Sequence, residues 1–418
     1  MESKRHILFL SALDFKEKSI QVIRKTPEAY LDKGWKVSYI VCRDTSIYGN
    51  YSYENEINID GINIYRFVMP FLTIRDKLKN NLLRTFFSKL ASYVAICKMA
   101  KIASSLLKQN DIDVIYGYEI QGVLAVNLLK LFGKLDKIKI VSRFQGTFYG
   151  SYIKNKKLLK RLLNFDHYLA LYLPSDLCIM TNDGTQGDAA LSAIKSKNLV
   201  NYRFWVNGVN KQLLPVAEIT RLREKFLDFP TQKMFLSVCR LAHWKRVDRT
   251  IQVIAILKNH FKFSDFKYYI VGEGQEKHRL QQLCQDLGVA EQVVFIGAID
   301  NQHIKEYLNA ANIFFSTYDS SNVGNPLLEA LSAHKIIFTL NNGDTHQWIQ
   351  HRQNGFIYDI NENLYRSMAE DLFNLIKDES LQNKLIAQIR KTAEDRLWSW
   401  NDRMETEIME VEKLLLMK

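Results

Sequence analysis

The sequence predicts two consecutive α/β domains, each a doubly wound parallel sheet with helices on both faces. Three observations predict it. Short apolar runs rich in β-branched and aromatic residues recur along the chain, each separated from the next by a stretch long enough for one helix. The pattern restarts after Asn207-Gly208. The length of 418 residues exceeds one ordinary hydrophobic core and suits about two domains of roughly 200 residues each.

The first run, Ile7 to Leu10, continues to Leu13 and is too short for a signal peptide, so it reads as a first strand. A helical pattern follows through Tyr30-Leu31 and stops at Gly34, a residue suited to a C-cap. Val37 to Cys42 is the next strand. Asn58 to Val68 holds Asp60-Gly61 between two short alternating segments and predicts a hairpin. Asp113 to Tyr116, Ile138 to Ser142 and Asp176 to Met180 complete the first sheet. After a linker near Asn201 to Leu214, the second sheet draws on Phe235 to Val238, Tyr268 to Val271, Val293 to Ile296, Ile313 to Phe315 and Ile336 to Phe338. The expected domains are 1–205 and 206–390. A closing helical segment, 391–418, contains Trp398 and Trp400, and is expected to pack back on the first domain through such large apolar faces.

With 47% apolar and 24% charged residues, the composition is that of a soluble globular chain rather than a disordered one. No stretch is expected to span a bilayer. The five cysteines are scattered and form no Cys-x-x-Cys pair, which excludes the common zinc and dithiol patterns and favours a reducing, cytoplasmic setting. The net charge of +12 points to an anionic partner. Nucleic acid is disfavoured because no aromatic-interleaved basic motif is present.

In open parallel sheets ligands bind beyond the carboxyl ends of the strands. Three loops of the second domain carry suitable chemistry. Cys239 to Arg246 offers Arg240 and Lys245, a guanidinium fork and an ammonium within reach of a diphosphate. A solvated basic turn accounts for the same residues by charge alone. Gly272-Glu273-Gly274 allows close approach of backbone to a ligand, or simply a tight turn. Tyr318 to Glu329 leads into a helix expected to be capped by Asn325, with Pro326 at its first position. Its free N–H groups and dipole favour an anion, and Glu329, one turn along, is suited to the hydroxyls of a ribose. A first-turn acid that merely complements the helix dipole explains Glu329, but not the Gly-Asn-Pro entry before it.

Together these loops resemble the family-four retaining glycosyltransferases of the GT-B fold, in which two Rossmann-like domains face a cleft. The resemblance rests on Arg-Leu-x-x-x-Lys at Arg240 to Lys245, Val-Gly-Glu-Gly at Val271 to Gly274, Phe-x-Gly at Phe295 to Gly297 and Gly-x-Pro-Leu-Leu-Glu-Ala at Gly324 to Ala330. Asn207-Gly208-Val209-Asn210 is also similar to the family's interdomain junction. The resemblance implies transfer of a sugar, with retained anomeric configuration, from a UDP- or GDP-sugar to a saccharide or lipid-linked acceptor, in the assembly of a surface polysaccharide or glycolipid. It implies that Arg240 and Lys245 bind the diphosphate and stabilise the leaving nucleotide, and that Glu329 holds the ribose. Gly274, Gly324 and Asn325 would contact the donor, the backbone of Leu327 and Leu328 would hold its phosphate, and the segment with Ile296 and Gly297 would lie against the base. No cofactor and no metal are implied.

Two departures stand out. Ser321 occupies the place of the family's first glutamate, which implies sugar recognition through Ser321, Asn322 and backbone amides, with Asp319 as a substitute carboxylate. A catalytically silent sugar-nucleotide-binding subunit or sensor is the alternative this departure keeps open. In the first domain, Gln145-Gly146-Thr147 stands where many members have His-Gly. Gln145 cannot titrate, and Glu119 is the nearest ionisable alternative on the acceptor side.

From Phe71 to Lys108, eight Lys or Arg residues oppose one Asp and alternate with Leu82, Leu83, Phe86, Phe87, Leu90 and Val94. This predicts a basic amphipathic helix or helix pair, suited either to an anionic lipid surface or to core packing with a solvated basic face. Lys154 to Arg161 adds a second basic cluster, so peripheral contact with the inner face of a membrane is an expectation.

Overall fold

The computed structural model describes residues 4–13, 15, 22–43, 59–210, 213–320 and 322–416. The chain divides into two compact units. Unit 1 takes the chain up to Asn182, Gln186–Asn207 and everything from Trp400 onward; unit 2 takes Gly208–Ser399 with the short segment Asp183–Thr185.

Unit 1 is built on β1 (His6–Ser11), β2 (Lys36–Arg43), β3 (Ile62–Val68), β4 (Val114–Tyr118), β5 (Lys139–Phe144), β6 (Leu177–Thr181) and β7 (Tyr202–Trp205). They form one sheet in the order β3-β2-β1-β4-β5-β6-β7, parallel throughout. β1, β4 and β6 are buried along their whole length, which is why they read as continuous apolar runs without a polar alternation. The two-residue period still sorts the faces. Phe9 packs on one face with Tyr30, Tyr39 and Tyr116, while Leu8 and Leu10 pack on the other with Ile40, Ala95 and Met99.

The hairpin expected around Asp60-Gly61 does not form among the described residues. A turn closed by Ile62 N–H donating to Ile59 C=O (3.0 Å), with Gly61 at φ 85°, leads instead into β3, which pairs parallel to β2. Asn58 lies outside the described residues. Four residues of the expected linker are strand β7, and the first division falls between Asn207 and Gly208.

The second division also falls later than expected, between Ser399 and Trp400. The Glu379–Arg396 helix buries Leu385, Ile389 and Ala393 within unit 2. The Trp400–Leu416 helix belongs to unit 1, where Trp400, Met404, Ile408 and Val411 complete the core face around Phe9. It also brings in charge. Glu407 and Arg403 are wholly buried with Arg143 of β5. Arg143 and Arg403 both donate to Glu407 Oε2, at 2.6 and 2.9 Å, and the Tyr116 hydroxyl donates to Oε1 at 2.7 Å. Burial alone would raise the Glu407 pKa, but the two guanidiniums outweigh it and hold the carboxyl below its usual range.

The basic stretch of unit 1 forms a helix pair, Leu72–Lys77 and Asn81–Gln109. The second starts cleanly, because the Asn80 side chain accepts from Leu82 N (2.8 Å) and Leu83 N (3.3 Å). Contrary to the expectation that no stretch could span a bilayer, its 29 residues are long and apolar enough to do so. Its packing gives another reason for that composition: Ala91, Ala95, Ile96, Met99, Ala100, Ala103 and Leu106 are buried in unit 1. Its first turns are different, with Leu82, Leu83 and Phe86 exposed. The Leu158–Leu163 helix buries no residue, and Leu158, Leu159, Leu162 and Leu163 are each more than half exposed.

Unit 2 contains β8 (Lys233–Val238), β9 (Phe266–Val271), β10 (Val293–Gly297), β11 (Ile313–Ser316), β12 (Ile336–Leu340) and β13 (Phe356–Tyr358). These form a second parallel sheet in the order β10-β9-β8-β11-β12-β13. This order sets the loops after β10, β9, β8 and β11 side by side at the carboxyl edge, where ligands of such sheets bind.

Candidate functional site

Neighbouring loops at the carboxyl edge of unit 2 are joined by backbone hydrogen bonds. Gly272 N–H donates to Gly297 C=O (2.8 Å), Leu241 N–H to Glu273 C=O (2.9 Å) and Asp319 N–H to Trp244 C=O (2.9 Å). Approach this close demands glycine at two places. A Cβ on Gly272, which sits at φ 142°, would lie 1.8 Å from Cys239 O, and one on Gly274 would lie 2.4 Å from Leu241 O. Gly274 is thus required by the joint between the β8 and β9 loops, beyond any contact with a ligand. Ile296 falls at a bulge in the β10–β9 ladder, whose register shifts between Phe295 and Gly297. Gly297, at φ 83°, turns this segment toward Glu273.

Arg240 is exposed at the end of β8. Lys245 is held between two rings, with Nζ 4.1 Å from the centre of Trp244 and 3.7 Å from that of Tyr318. Burial there pushes the Lys245 pKa down to about 8, and the charge of Arg240 acts in the same direction. This aromatic cage is not legible in the sequence. Its signal is Trp244 beside the lysine in the loop after β8 and Tyr318 in the loop after β11, three strands on, and nothing in the chain order brings the two together.

The loop after β11 differs most from expectation. Asn322, expected to meet the donor, is fully buried. Its Oδ1 accepts from Ser316 Oγ (3.0 Å) and Tyr318 N (3.2 Å), and its Nδ2 donates to Tyr318 O (3.3 Å) and Asn342 Oδ1 (2.7 Å). All its hydrogen-bonding groups are engaged in holding the loop. Asp319, the substitute carboxylate, is paired with Arg249 (2.7 Å) and Arg246 (3.5 Å). Ser321 lies outside the described residues.

The next helix, Asn325–Ser332, begins one residue earlier than expected, with Gly324 as its cap and Pro326 inside the first turn. Leu327 and Leu328 have buried side chains, and their N–H groups donate to Gly324 C=O at 3.0 and 3.3 Å. They are therefore core residues whose amides are already used by the helix, while Gly324 and Asn325 form its half-buried start. Glu329 is half-buried and lines a recess with Asn210, Asn301, Lys305 and Asn309. Burial pushes its pKa up to about 8, so the carboxyl is largely protonated at pH 7 and can both donate and accept a hydrogen bond.

In unit 1 the acceptor-side candidates lie at the carboxyl ends of β4 and β5. Glu119 Oε1 accepts from Gln145 N at 2.6 Å, and Gln145 Nε2 donates to the Tyr118 hydroxyl at 2.5 Å. Glu119 holds the left-handed conformation at φ 59°, an uncommon state for a residue with a side chain. Gly146, at φ 121°, allows the turn that follows. Thr147 is buried, and its hydroxyl accepts from Tyr149 N (3.1 Å). It belongs to the local fold, whereas Glu119, Gln145 and Tyr118 form a polar group of their own. A further link joins it to the interior, since Asn207 Nδ2 donates to Gln145 Oε1 (3.2 Å) and Asn207 Oδ1 accepts from Arg143 (3.4 Å).

Residues 218–392 match the family described as "Glycosyl transferases group 1". The chain is 22% identical over 315 residues to N-acetyl-alpha-D-glucosaminyl L-malate synthase of Bacillus anthracis, covering 72% of this chain and 74% of that protein. Further glycosyltransferase relatives are matched over only 46 to 48% of their own length. Sucrose-phosphate synthase of Thermosynechococcus elongatus superposes with a TM-score of 0.75 at 16% identity, over 99% of both chains. HepE of Anabaena, solved with UDP-glucose, superposes with a TM-score of 0.67 at 16% identity, over 98% of this chain and 99% of that one. At such identities the superpositions speak for the fold.

Proposed function

This chain is a glycosyltransferase of the GT-B fold and family-four type, and we propose that it moves a sugar from a nucleoside diphosphate sugar to a saccharide or lipid-linked acceptor with retained anomeric configuration. The observation that carries this is the convergence of Arg240, the caged Lys245 ammonium and the start of the Asn325–Ser332 helix on the carboxyl edge of one sheet. As the bond from the sugar to the diphosphate breaks, negative charge grows on the leaving group. Arg240 and Lys245 would neutralise it without a resident metal. Glu329, in its recess, would hold the ribose hydroxyls, and Ile296–Gly297 would lie against the base. UDP is the donor nucleotide we favour, since a protein of the same fold has been solved with UDP-glucose. Glu119 and Gln145 are our candidates for the acceptor side.

Purified protein should transfer sugar from at least one of UDP-, GDP- or ADP-linked donors, and the anomeric configuration of the product read by NMR should equal that of the donor. A product of inverted configuration, or nucleotide binding without any transfer, would overturn the reading.

The two groups titrating near pH 8 give a pH profile. Above that pH Lys245 loses a positive charge and Glu329 gains a negative one. Both changes oppose a diphosphate, so UDP affinity should be steady below pH 8 and fall by up to about tenfold per unit above it for each group that must hold its proton. Lys245→Arg should remove part of the fall, and the double variant Lys245→Arg/Glu329→Gln nearly all of it. A flat wild-type titration from neutral to alkaline pH would contradict the assignment.

We also propose that the acceptor is met at the inner, anionic face of a membrane, in the cytoplasm. The support is the pairing of exposed leucines on the Leu158–Leu163 helix with Lys154, Lys156, Lys157, Lys160 and Arg161. Sedimentation with vesicles containing phosphatidylserine should carry the protein down at low salt, and Leu159→Glu/Leu162→Glu should abolish it. Equal sedimentation of the variant, or none for wild type, would refute the contact.

A further inference from the structure

At the edge of unit 2 where strands begin, opposite the donor loops, lies a cavity of about 150 Å³. One wall is apolar, formed by Ile313 at the start of β11 together with Leu375 and Ile386 of the Leu364–Lys377 and Glu379–Arg396 helices. The other part is basic, formed by Lys233 at the start of β8 and by His334 and Lys335 just before β12. Among the described residues, no acidic side chain lines it.

Lys335 donates to Asn309 C=O (2.9 Å), which accounts for one of its three N–H bonds. Burial first, and then the charge of Arg223, lower its pKa to about 8. Burial first, and then the charges of Arg390 and Lys335, hold the His334 pKa below its ordinary value against the opposing charge of Glu394, so His334 offers a neutral imidazole at pH 7. It also holds φ 57° immediately beyond the Asn325–Ser332 helix, where a glycine would sit without strain, so an imidazole is kept here at a cost in backbone energy. Two lysines beside a dry wall, with no carboxylate among the lining residues, are stabilised by an anion that brings its own apolar surface. A volume near 150 Å³ is about the size that admits a six-carbon ring.

We propose that this cavity is a binding site for a small organic anion, a carboxylate or phosphate monoester attached to an apolar body of about six carbons. The anionic group meets Lys335, Lys233 and His334, and the body lies on Ile313, Leu375 and Ile386. The site is independent of the proposed transfer reaction.

The test is calorimetric titration of the full chain with benzoate, against benzyl alcohol and acetate, which each supply one half of the ligand. Benzoate should bind saturably, and both controls at least about tenfold more weakly. Ile386→Glu, which sets a carboxylate among the cations, and Lys335→Met should each weaken benzoate by at least about tenfold. Should Lys335→Met fail to fold, Lys233→Met takes its place. The proposal is overturned by no saturable benzoate binding up to ~20 mM, by equal binding of the controls, or by unchanged binding in the folded variants.

Discussion

Arg240→Ala lowers kcat/KM for sugar transfer by about 10²- to 10³-fold, the usual cost of removing one fixed donor from a developing anion. The guanidinium stands at the end of β8, on a loop whose backbone is fixed on both sides. Cys239 N–H donates to Val271 C=O (3.0 Å), and Leu241 N–H donates to Glu273 C=O (2.9 Å). A side chain anchored this way needs little reorganisation when charge moves onto the leaving diphosphate. Because that charge grows in the transition state, kcat should fall more than KM rises. Arg240→Lys should recover only part of the loss, because a point charge replaces a planar fork. An Arg240→Ala protein that folds and keeps its kcat would remove Arg240 from the leaving-group site.

The second large effect is on stability. Glu407→Gln removes the only carboxylate among the described residues that pairs with Arg143 and Arg403, leaving two guanidiniums buried without that counter-ion. Breaking a buried ion pair from one side costs about 3–5 kcal/mol, mostly the desolvation of the charge left behind. A markedly lower midpoint of chemical unfolding should follow. Replacing all three residues by apolar ones of similar volume should recover most of the loss, since the charges are then gone together. The pH dependence has a definite sign. The folded-state pKa of Glu407 lies below its unfolded value, so its contribution is complete above the ordinary carboxylate range and is lost only as acid protonates the folded carboxyl. A Glu407→Gln protein as stable as wild type at neutral pH would show that the cluster contributes nothing net.

The loops proposed for the donor side could be located from the chain. Arg240, Lys245 and Gly274 fall on the loops the sequence indicated, because each follows an apolar run that could only be a strand, and Glu329 falls in the helix expected after the loop that begins at Tyr318. What misled the reading was polarity without context. Asn322 and Thr147 look like ligand contacts in a one-dimensional list, yet their polar atoms are consumed by neighbours. Asn325 reads as a cap, yet Gly324 takes that position, a one-residue shift that no local propensity could resolve. The expectation that no segment could span a bilayer failed because the apolar run from Asn81 is interrupted by basic residues in sequence, while its length as a single helix appears only in the structure.

The sequence by itself determined the two parallel sheets, the point where the second begins, the loops that hold chemistry and the basic bias of the whole. These are short-range properties, written in the spacing of apolar residues and in the turn chemistry of glycine, asparagine and proline. Tertiary structure alone decided which of those polar residues remain available. Trp244 and Tyr318 close on Lys245 only because the loops after β8 and β11 are adjacent in the sheet. Arg143 finds Glu407 across 264 positions only because the last helix returns to unit 1. Burial and hydrogen-bond partnership depend on what packs against a residue, and that neighbour is set by the fold rather than by the adjoining sequence.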